Sequence, residues 1–288
     1  MLKIDNFKSI VDKYEVIFFD AFGVLKNYKG LLPGIEKTFS YIESQNKEYY
    51  IVTNDASRSP MQLAESYHRL GLEAITSDRI ISSGMLAKEY LDLKVHDGIV
   101  AYLGTENSAH YIDSTGLYTL PISDINDTNI EKVNALVFLD DEGFEWERDL
   151  NKVVNLLRKR TIPAIVANTD YAYPVNKREI AIAVGGIASM IENIVGREFI
   201  RFGKPDSQMF MFAYDLIREY RPITKKDVVM VGDTLYTDIL GANKFGMDTV
   251  LVFSGNTLSD DAEINIRTTG IIPTYICESA VIDQSEIF

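Results

Sequence analysis

Cysteine is almost absent from this chain. Cys277 stands alone among 288 residues, which excludes an intramolecular disulfide and a thiolate zinc site and makes a reducing compartment the natural setting. Histidine is also scarce: His68, His96 and His110 show no metal-like spacing and read as structural or exposed. No apolar run approaches the ~20 residues of a membrane span. The N-terminal segment lacks the basic stretch, apolar core and small-residue cleavage site of a secretory signal. A cytoplasmic protein with no membrane partner is expected. Positive charge is in deficit, with 29 Lys and Arg against 42 Asp and Glu and a formal net charge of -13. That argues against a nucleic-acid partner, which recruits basic faces. It does not exclude a small anionic substrate, because one lysine and a metal ion can reverse the potential inside a cleft. Pro-rich or Gly/Ser-rich linkers, internal repeats and low-complexity tracts are all missing.

What the chain does contain is a set of short apolar runs that end in polar residues. Val16 to Asp20, Tyr49 to Asn54 and Asp227 to Asp233 are rich in Val, Ile and aromatics, as expected of strands buried on both faces of a parallel sheet. Helical patterns follow. Ser59-Pro60 opens one with Leu63, Ala64, Tyr67 and Leu70 on its apolar face and Gly71 at its end. Another runs from Thr237 to Phe245 and leads through Gly246 into the run Thr249 to Phe253. Strand, helix, strand is the unit of a doubly wound sheet. Between these parts, Ile99–Leu103, Ala135–Leu139 and Ala164–Ala167 repeat the style, as strands separated by helices, without sharing the same motifs. The pattern Val153, Val154, Leu156, Leu157 is a helix facing a core. The expected fold class is α/β, a doubly wound parallel-sheet (Rossmann-like) core formed by residues 1–94 and 201–288 with an inserted α/β cap over 95–200.

Four separated motifs carry a family resemblance: FFDAFGVL at 18–25, IVTNDASRS at 51–59, FGKPDSQMF at 202–210 and VVMVGDTLYTDILGA at 228–242. In this order they resemble the haloacid dehalogenase (HAD) superfamily. The similarity is to its class IIA, the NagD-like sugar and nucleotide phosphatases, and covers nearly the whole chain. The resemblance implies a core of this kind with a C2-type cap. It also implies an Mg2+-dependent hydrolase of a small phosphorylated metabolite, such as a sugar phosphate. Asp20 would be the nucleophile that forms an aspartyl phosphate. Asp20, Asp233 and the backbone carbonyl of Phe22 would hold magnesium, a hard cation suited to oxygen ligands. Thr53, Asn54 and Lys204 would bind the phosphoryl oxygens. Asp238 would orient Lys204 or a metal-bound water, although a carboxylate at a helix start is also ordinary capping chemistry. By the same resemblance, a homodimer through the cap is admissible.

Phe22 departs from the family pattern. Phosphatases of this superfamily carry there an aspartate that protonates the leaving alcohol and then activates water. An aromatic ring does neither, and such assistance is worth about 100- to 10,000-fold in rate. Turnover then requires a good leaving group or another carboxylate, of which Asp55 is the nearest in sequence. The alternative is a binding protein that keeps the phosphate cradle and has lost turnover. A dehalogenase reading comes third, since its cap lies between the first two motifs. Here Asp20 and Thr53 are only 33 positions apart (53 minus 20), whereas Asn54 and Lys204 are 150 apart (204 minus 54).

Other candidates have plainer alternatives. Asp55, Arg58, Asn168 and Asp170 are read as substrate contacts, against solvated loops and turn chemistry. Phe144 and Trp146 compete with simple packing for that role. Gly185-Gly186 would approach an anion through backbone amides or form a turn.

Overall fold

The computed structural model describes residues 4–176 and 179–282. Two compact units emerge. The first comprises residues up to Thr53, Pro60–Ile81 and residues from Lys204 onward; the second comprises Asn54–Ser59 and Ser82–Gly203.

The first unit is built on a sheet ordered Tyr275–Cys277, Asp248–Val252, Val228–Gly232, Val16–Phe19, Glu48–Thr53 and Ile80–Ser82. The pairings among the first five strands are parallel. Val16–Phe19 and Val228–Gly232 are buried at every position, which is why they read as unbroken apolar runs rather than alternating ones. The helix Ile35–Ser44 lays Ile35, Phe39 and Ile42 against the sheet. The Phe39 ring sits 5.4 Å from Phe19 and 4.7 Å from Tyr49, so Phe39→Ala would open a cavity costing about 3–5 kcal/mol. The helix Pro60–Arg69 starts on proline, whose missing N–H is harmless there, and buries Leu63, Ala64 and Tyr67. Leu70 does not join that face. The helix ends at Arg69, and Leu70 is 45% exposed in the turn before Gly71.

Strand order reverses once in this sheet. From Val16–Phe19 the chain adds strands on one side, Glu48–Thr53 and Ile80–Ser82, and later returns to the other side with Val228–Gly232 and its followers. The reversal leaves a crevice at the carboxyl ends of those two central strands. Asp20 and Asp233 are the residues found there.

The second unit has its own five-stranded sheet, ordered Ile200–Arg201, Ala164–Val166, Val133–Phe138, Ile99–Leu103 and Tyr118–Pro121. It is parallel throughout. The helices Trp146–Lys159 and Val184–Val195 contribute Val153, Leu156, Leu157, Ile187 and Ile191 to its core. A short antiparallel hairpin pairs Ala172–Pro174 with Ile180–Ile182. The pattern of apolar runs suggests an insert of 95–200, but this compact unit also takes in the helix Ser83–Lys94 and the segment Asn54–Ser59. Tyr111 explains both. A Cβ at Gly84 would lie 2.5–2.6 Å from Tyr111 ring carbons, so only glycine lets the ring seat on this helix. Its hydroxyl bonds the Ser82 hydroxyl at 2.6 Å and donates to the Arg58 carbonyl at 2.9 Å. Ser83 adds a hydrogen bond to the Asn54 carbonyl at 2.9 Å.

Candidate active site

Sheet register assembles the first-unit site. Phe19 pairs with both Val231 and Ile51, and the Asp20 N–H donates to the Val231 carbonyl at 2.9 Å. Asp20, Thr53 and Asp233 therefore lie one or two residues beyond aligned positions, at the same end of adjacent strands. Thr53 is 5% exposed and Asp233 fully buried. After Asp233 the chain makes a π-helical turn over Leu235–Ile239 before the helix Leu240–Phe245. This wide turn is a common device at functional sites, and it puts Asp238 rather than an apolar residue against the strand. A Cβ at Gly232 would lie 2.5 Å from Asp238 Oδ2, so glycine is the residue that admits the carboxylate.

Lys204 links the parts. Its Nζ donates to Asp20 Oδ1 at 2.6 Å and to Asp238 Oδ1 at 2.7 Å, and the residue is 2% exposed. Burial alone would lower the ammonium pKa, but the two carboxylates outweigh it and hold it above 10.5. Lys204 is therefore a fixed cation. Burial, with Asp20 adding to it and Lys204 opposing it, pushes Asp238 up to about 7. Asp233 is raised well above the usual carboxylate range, first by burial and then by Asp20 and Asp238.

This centre is short of positive charge. Asp20, Asp233 and Asp238 each offer an oxygen within 4.8 Å of the others, and among the described residues one ammonium, that of Lys204, serves them. Among the described residues, Asp233 is met only by neutral donors, the Thr234 hydroxyl on Oδ1 and the Asn256 N–H on Oδ2. Gly23, at φ +81°, and Gly255 close on its carboxylate so tightly that a Cβ at either would overlap it. A buried, all-oxygen carboxylate group with a net deficit fits a hard divalent cation such as magnesium.

Of the remaining predicted residues, Phe22 lies in the first unit, bridged to Lys26, and the others belong to the second. The Asn54 side-chain amide donates to Thr169 Oγ1 at 3.1 Å and Asp170 Oδ1 at 2.9 Å. The Asp170 N–H in turn donates to Asn168 Oδ1 at 2.9 Å. Asp55 Oδ1 accepts from the Ser57 N–H and hydroxyl at 2.9 and 2.6 Å. Arg58 enters this network through its carbonyl. Gly185-Gly186 form no turn of their own. They lie in the first turn of Val184–Val195, and a Cβ at Gly185 would meet main-chain atoms of Thr169 and Asp170 at 2.6 Å. They make room for the Asn168–Asp170 loop. Trp146 is 46% exposed with Phe144 beside it at 6.1 Å; Phe144 packs on the sheet's core.

Comparison with known proteins decides the family. A "haloacid dehalogenase-like hydrolase" model matches residues 17–118 and a HAD-hydrolase-like model residues 201–279. The crystal structure of a "possible sugar phosphatase, HAD superfamily" from Cytophaga hutchinsonii is 68% identical, covering 98% of this chain and 100% of that one, with a TM-score of 0.95. The chain belongs to the HAD superfamily. More distant HAD relatives include phosphoglycolate phosphatase 2 of Arabidopsis thaliana, 29% identical over 96% of this chain and 94% of its own length. Human chronophin is 26% identical over 94% and 93%.

One part of this HAD site carries no signal among the four motifs. The loop Ser254–Thr257 wraps Asp233: Thr257 N–H donates to the Asp233 carbonyl at 3.2 Å, and the Ser254 hydroxyl donates to the Gly23 carbonyl at 2.6 Å. It thus ties the first-motif loop to the fourth. Its work is done mainly by main-chain groups and a glycine, which leave little trace in sequence. The phrase Ser-Gly-Asn-Thr straight after an apolar run was the available cue.

Proposed function

We propose that this protein is a phosphomonoester hydrolase for a small phosphorylated metabolite of the sugar-phosphate class, working through Asp20. The observation that carries the reading is the buried Lys204 ammonium held between Asp20 and Asp238 beside Asp233. Its relatives named as sugar and phosphoglycolate phosphatases support it. Asp20 attacks phosphorus and the ester P–O bond breaks, the leaving oxygen departing as its anion and taking a proton from solvent; water then attacks the aspartyl phosphate, gives up a proton to solvent, and releases inorganic phosphate while restoring Asp20. Lys204 stays charged and offsets the negative charge gathering on the phosphoryl oxygens. Asp238 keeps Lys204 in place, and the hydroxyl of the buried Thr53 would donate to the same oxygens. A magnesium ion held by Asp20, Asp233 and the Phe22 carbonyl would neutralise charge on the carboxylates and the phosphate.

Phe22 gives the reading its particular form. With no acid two residues after the nucleophile, the reaction favours substrates whose leaving group departs without a proton. The experiment is phosphate release with magnesium from p-nitrophenyl phosphate and from a sugar-phosphate panel, for wild type, Asp20→Asn and Phe22→Asp. Wild-type activity should fall by about 10^4-fold or more in Asp20→Asn. Phe22→Asp should raise turnover of alkyl phosphates by about 100-fold. Activity that survives in Asp20→Asn removes the nucleophile assignment. Phe22 also favours a second reading, a phosphate-binding protein; tight ligand binding with no release by wild type, restored in Phe22→Asp, would select it.

A further inference from the structure

We infer that Asn256 is a positioning residue for the Asp233 carboxylate, acting through the Thr234 hydroxyl, and that it sets how tightly the acidic centre holds a divalent cation. The inference rests on the metal-dependent reading above. Asp233 Oδ1 accepts from the Thr234 hydroxyl at 3.0 Å and Oδ2 from the Asn256 main-chain N–H at 2.6 Å. The Asn256 side-chain amide donates to Thr234 Oγ1 at 3.0 Å. A hydroxyl has a single proton. With an amide N–H pointed at its oxygen, Thr234 turns that proton toward Asp233, so the Asn256 side chain fixes the direction of a bond it does not itself make. One residue thus grips both oxygens, one directly and one through a neighbour.

The surroundings make that grip consequential. Gly23 and Gly255 lie against the carboxylate, and the loop is anchored at each end by Ser254 on the Gly23 carbonyl and Thr257 on the Asp233 carbonyl. The lone pairs left for a cation are therefore set by these donors. Packing does not explain the asparagine, because Asn256 is exposed. Its amide is needed as a donor; an aspartate there would present only acceptors and place a like charge near Asp233. Groups that orient a metal ligand from behind commonly change metal affinity by about 10- to 100-fold when removed.

The test is Mn2+ binding to the full chain by isothermal titration calorimetry, for wild type, Asn256→Ala, Asn256→Asp, Thr234→Val and the Asn256→Ala/Thr234→Val double variant. Asn256→Ala keeps the main-chain N–H and should bind Mn2+ about tenfold more weakly, with Asn256→Asp weaker still. Its melting temperature in EDTA should match wild type, as for other exposed substitutions. The magnesium concentration for half-maximal phosphate release should rise in step while the rate at saturating magnesium changes little. Because one residue acts through the other, the double variant should bind no more weakly than Thr234→Val. Wild-type affinity in Asn256→Ala, or losses that add in full, overturns the inference while leaving the metal site standing. A wild-type protein that binds no Mn2+ overturns the metal reading and this inference with it.

Discussion

The two parallel sheets of this chain each reverse strand order once, and the residues at the two reversals differ in one respect. In the first unit the crevice beyond Val16–Phe19 and Val228–Gly232 gathers three carboxylates around a buried ammonium. In the second, the corresponding place beyond Ile99–Leu103 and Val133–Phe138 carries Thr105, Asp140 and Asp141. Asp140 is 8% exposed; its oxygens accept from the Thr105 hydroxyl at 3.0 Å and the Asp141 N–H at 2.9 Å. Asp141 accepts from the Tyr173 hydroxyl at 2.9 Å. Among the described residues, neither Asp140 nor Asp141 forms an ion pair. The same topology has made two crevices, and only one has a fixed positive charge where a phosphoryl group would need it. Fold supplies the place; on the proposed reading the cation supplies the chemistry.

Removing that cation should erase the difference. Lys204→Met leaves the buried Asp238 and the partly buried Asp20 without a cation, as Asp140 is. Phosphate release should drop by about 100- to 1,000-fold, the usual loss when one group stabilising a developing oxyanion is deleted. Stability of the first unit should fall by about 3 kcal/mol because unpaired buried charge remains. Steady-state rates and urea unfolding measure both. Undiminished turnover would separate Lys204 from the reaction and leave the two crevices alike in function.

A smaller effect tests backbone fit within the second unit, at the two ends of the helix Val184–Val195. Gly185→Ala pushes a methyl group to 2.6 Å from main-chain atoms of Thr169 and Asp170, which cannot swing aside as a side-chain tip would. The loss should be about 1–3 kcal/mol. Gly196→Ala is the control: at φ +70° with nothing within 4 Å, it carries conformational strain only, about 1 kcal/mol. Thermal unfolding of the two variants should rank them in that order, and an equal loss would show that the Asn168–Asp170 loop yields.

The first-unit site was legible because its chemistry sits on side chains that end short apolar runs. Asp20 and Asp233 end their apolar runs and Thr53 stands one residue before the end of another, its role supplied by the family motif, and sheet register then brings the three together. Lys204 follows from its family motif, since nothing local in Gly-Lys-Pro announces a buried cation. The second unit was less legible for two physical reasons. The partners of the Asn54 amide lie 115 and 116 residues away, beyond any local pattern. The extent of the unit depends on Tyr111 seating against Gly84, a contact between two residues with ordinary helical signals. Ser254–Thr257 escaped for a third reason: what it offers Asp233 is largely main chain.

The smallest expected effect lies at Asp140, and its sign sharpens the contrast. Burial raises this carboxyl from its ordinary 3.8, assisted by the charges of Asp141 and Asp55 and opposed by the Thr105 and Asp141 hydrogen bonds. A carboxyl whose folded pKa lies above its unfolded value favours the fold when protonated. That contribution is fully present below pH 3.8 and is lost as pH rises through the folded value. Above pH 3.8 that contribution diminishes, so Asp140→Asn, which cannot ionise, should raise the melting temperature at pH 7, by less than about 1 kcal/mol in stability. The gain should shrink as pH falls toward 4, which a pair of melting curves at each pH will show. Asp233, raised by burial and by two neighbouring carboxylates, should give the same stabilisation as Asn in EDTA, but there the substitution should also abolish magnesium-dependent turnover. A gain in stability without loss of function in the second unit, beside a gain bought with function in the first, is what two crevices of one topology and unequal charge require.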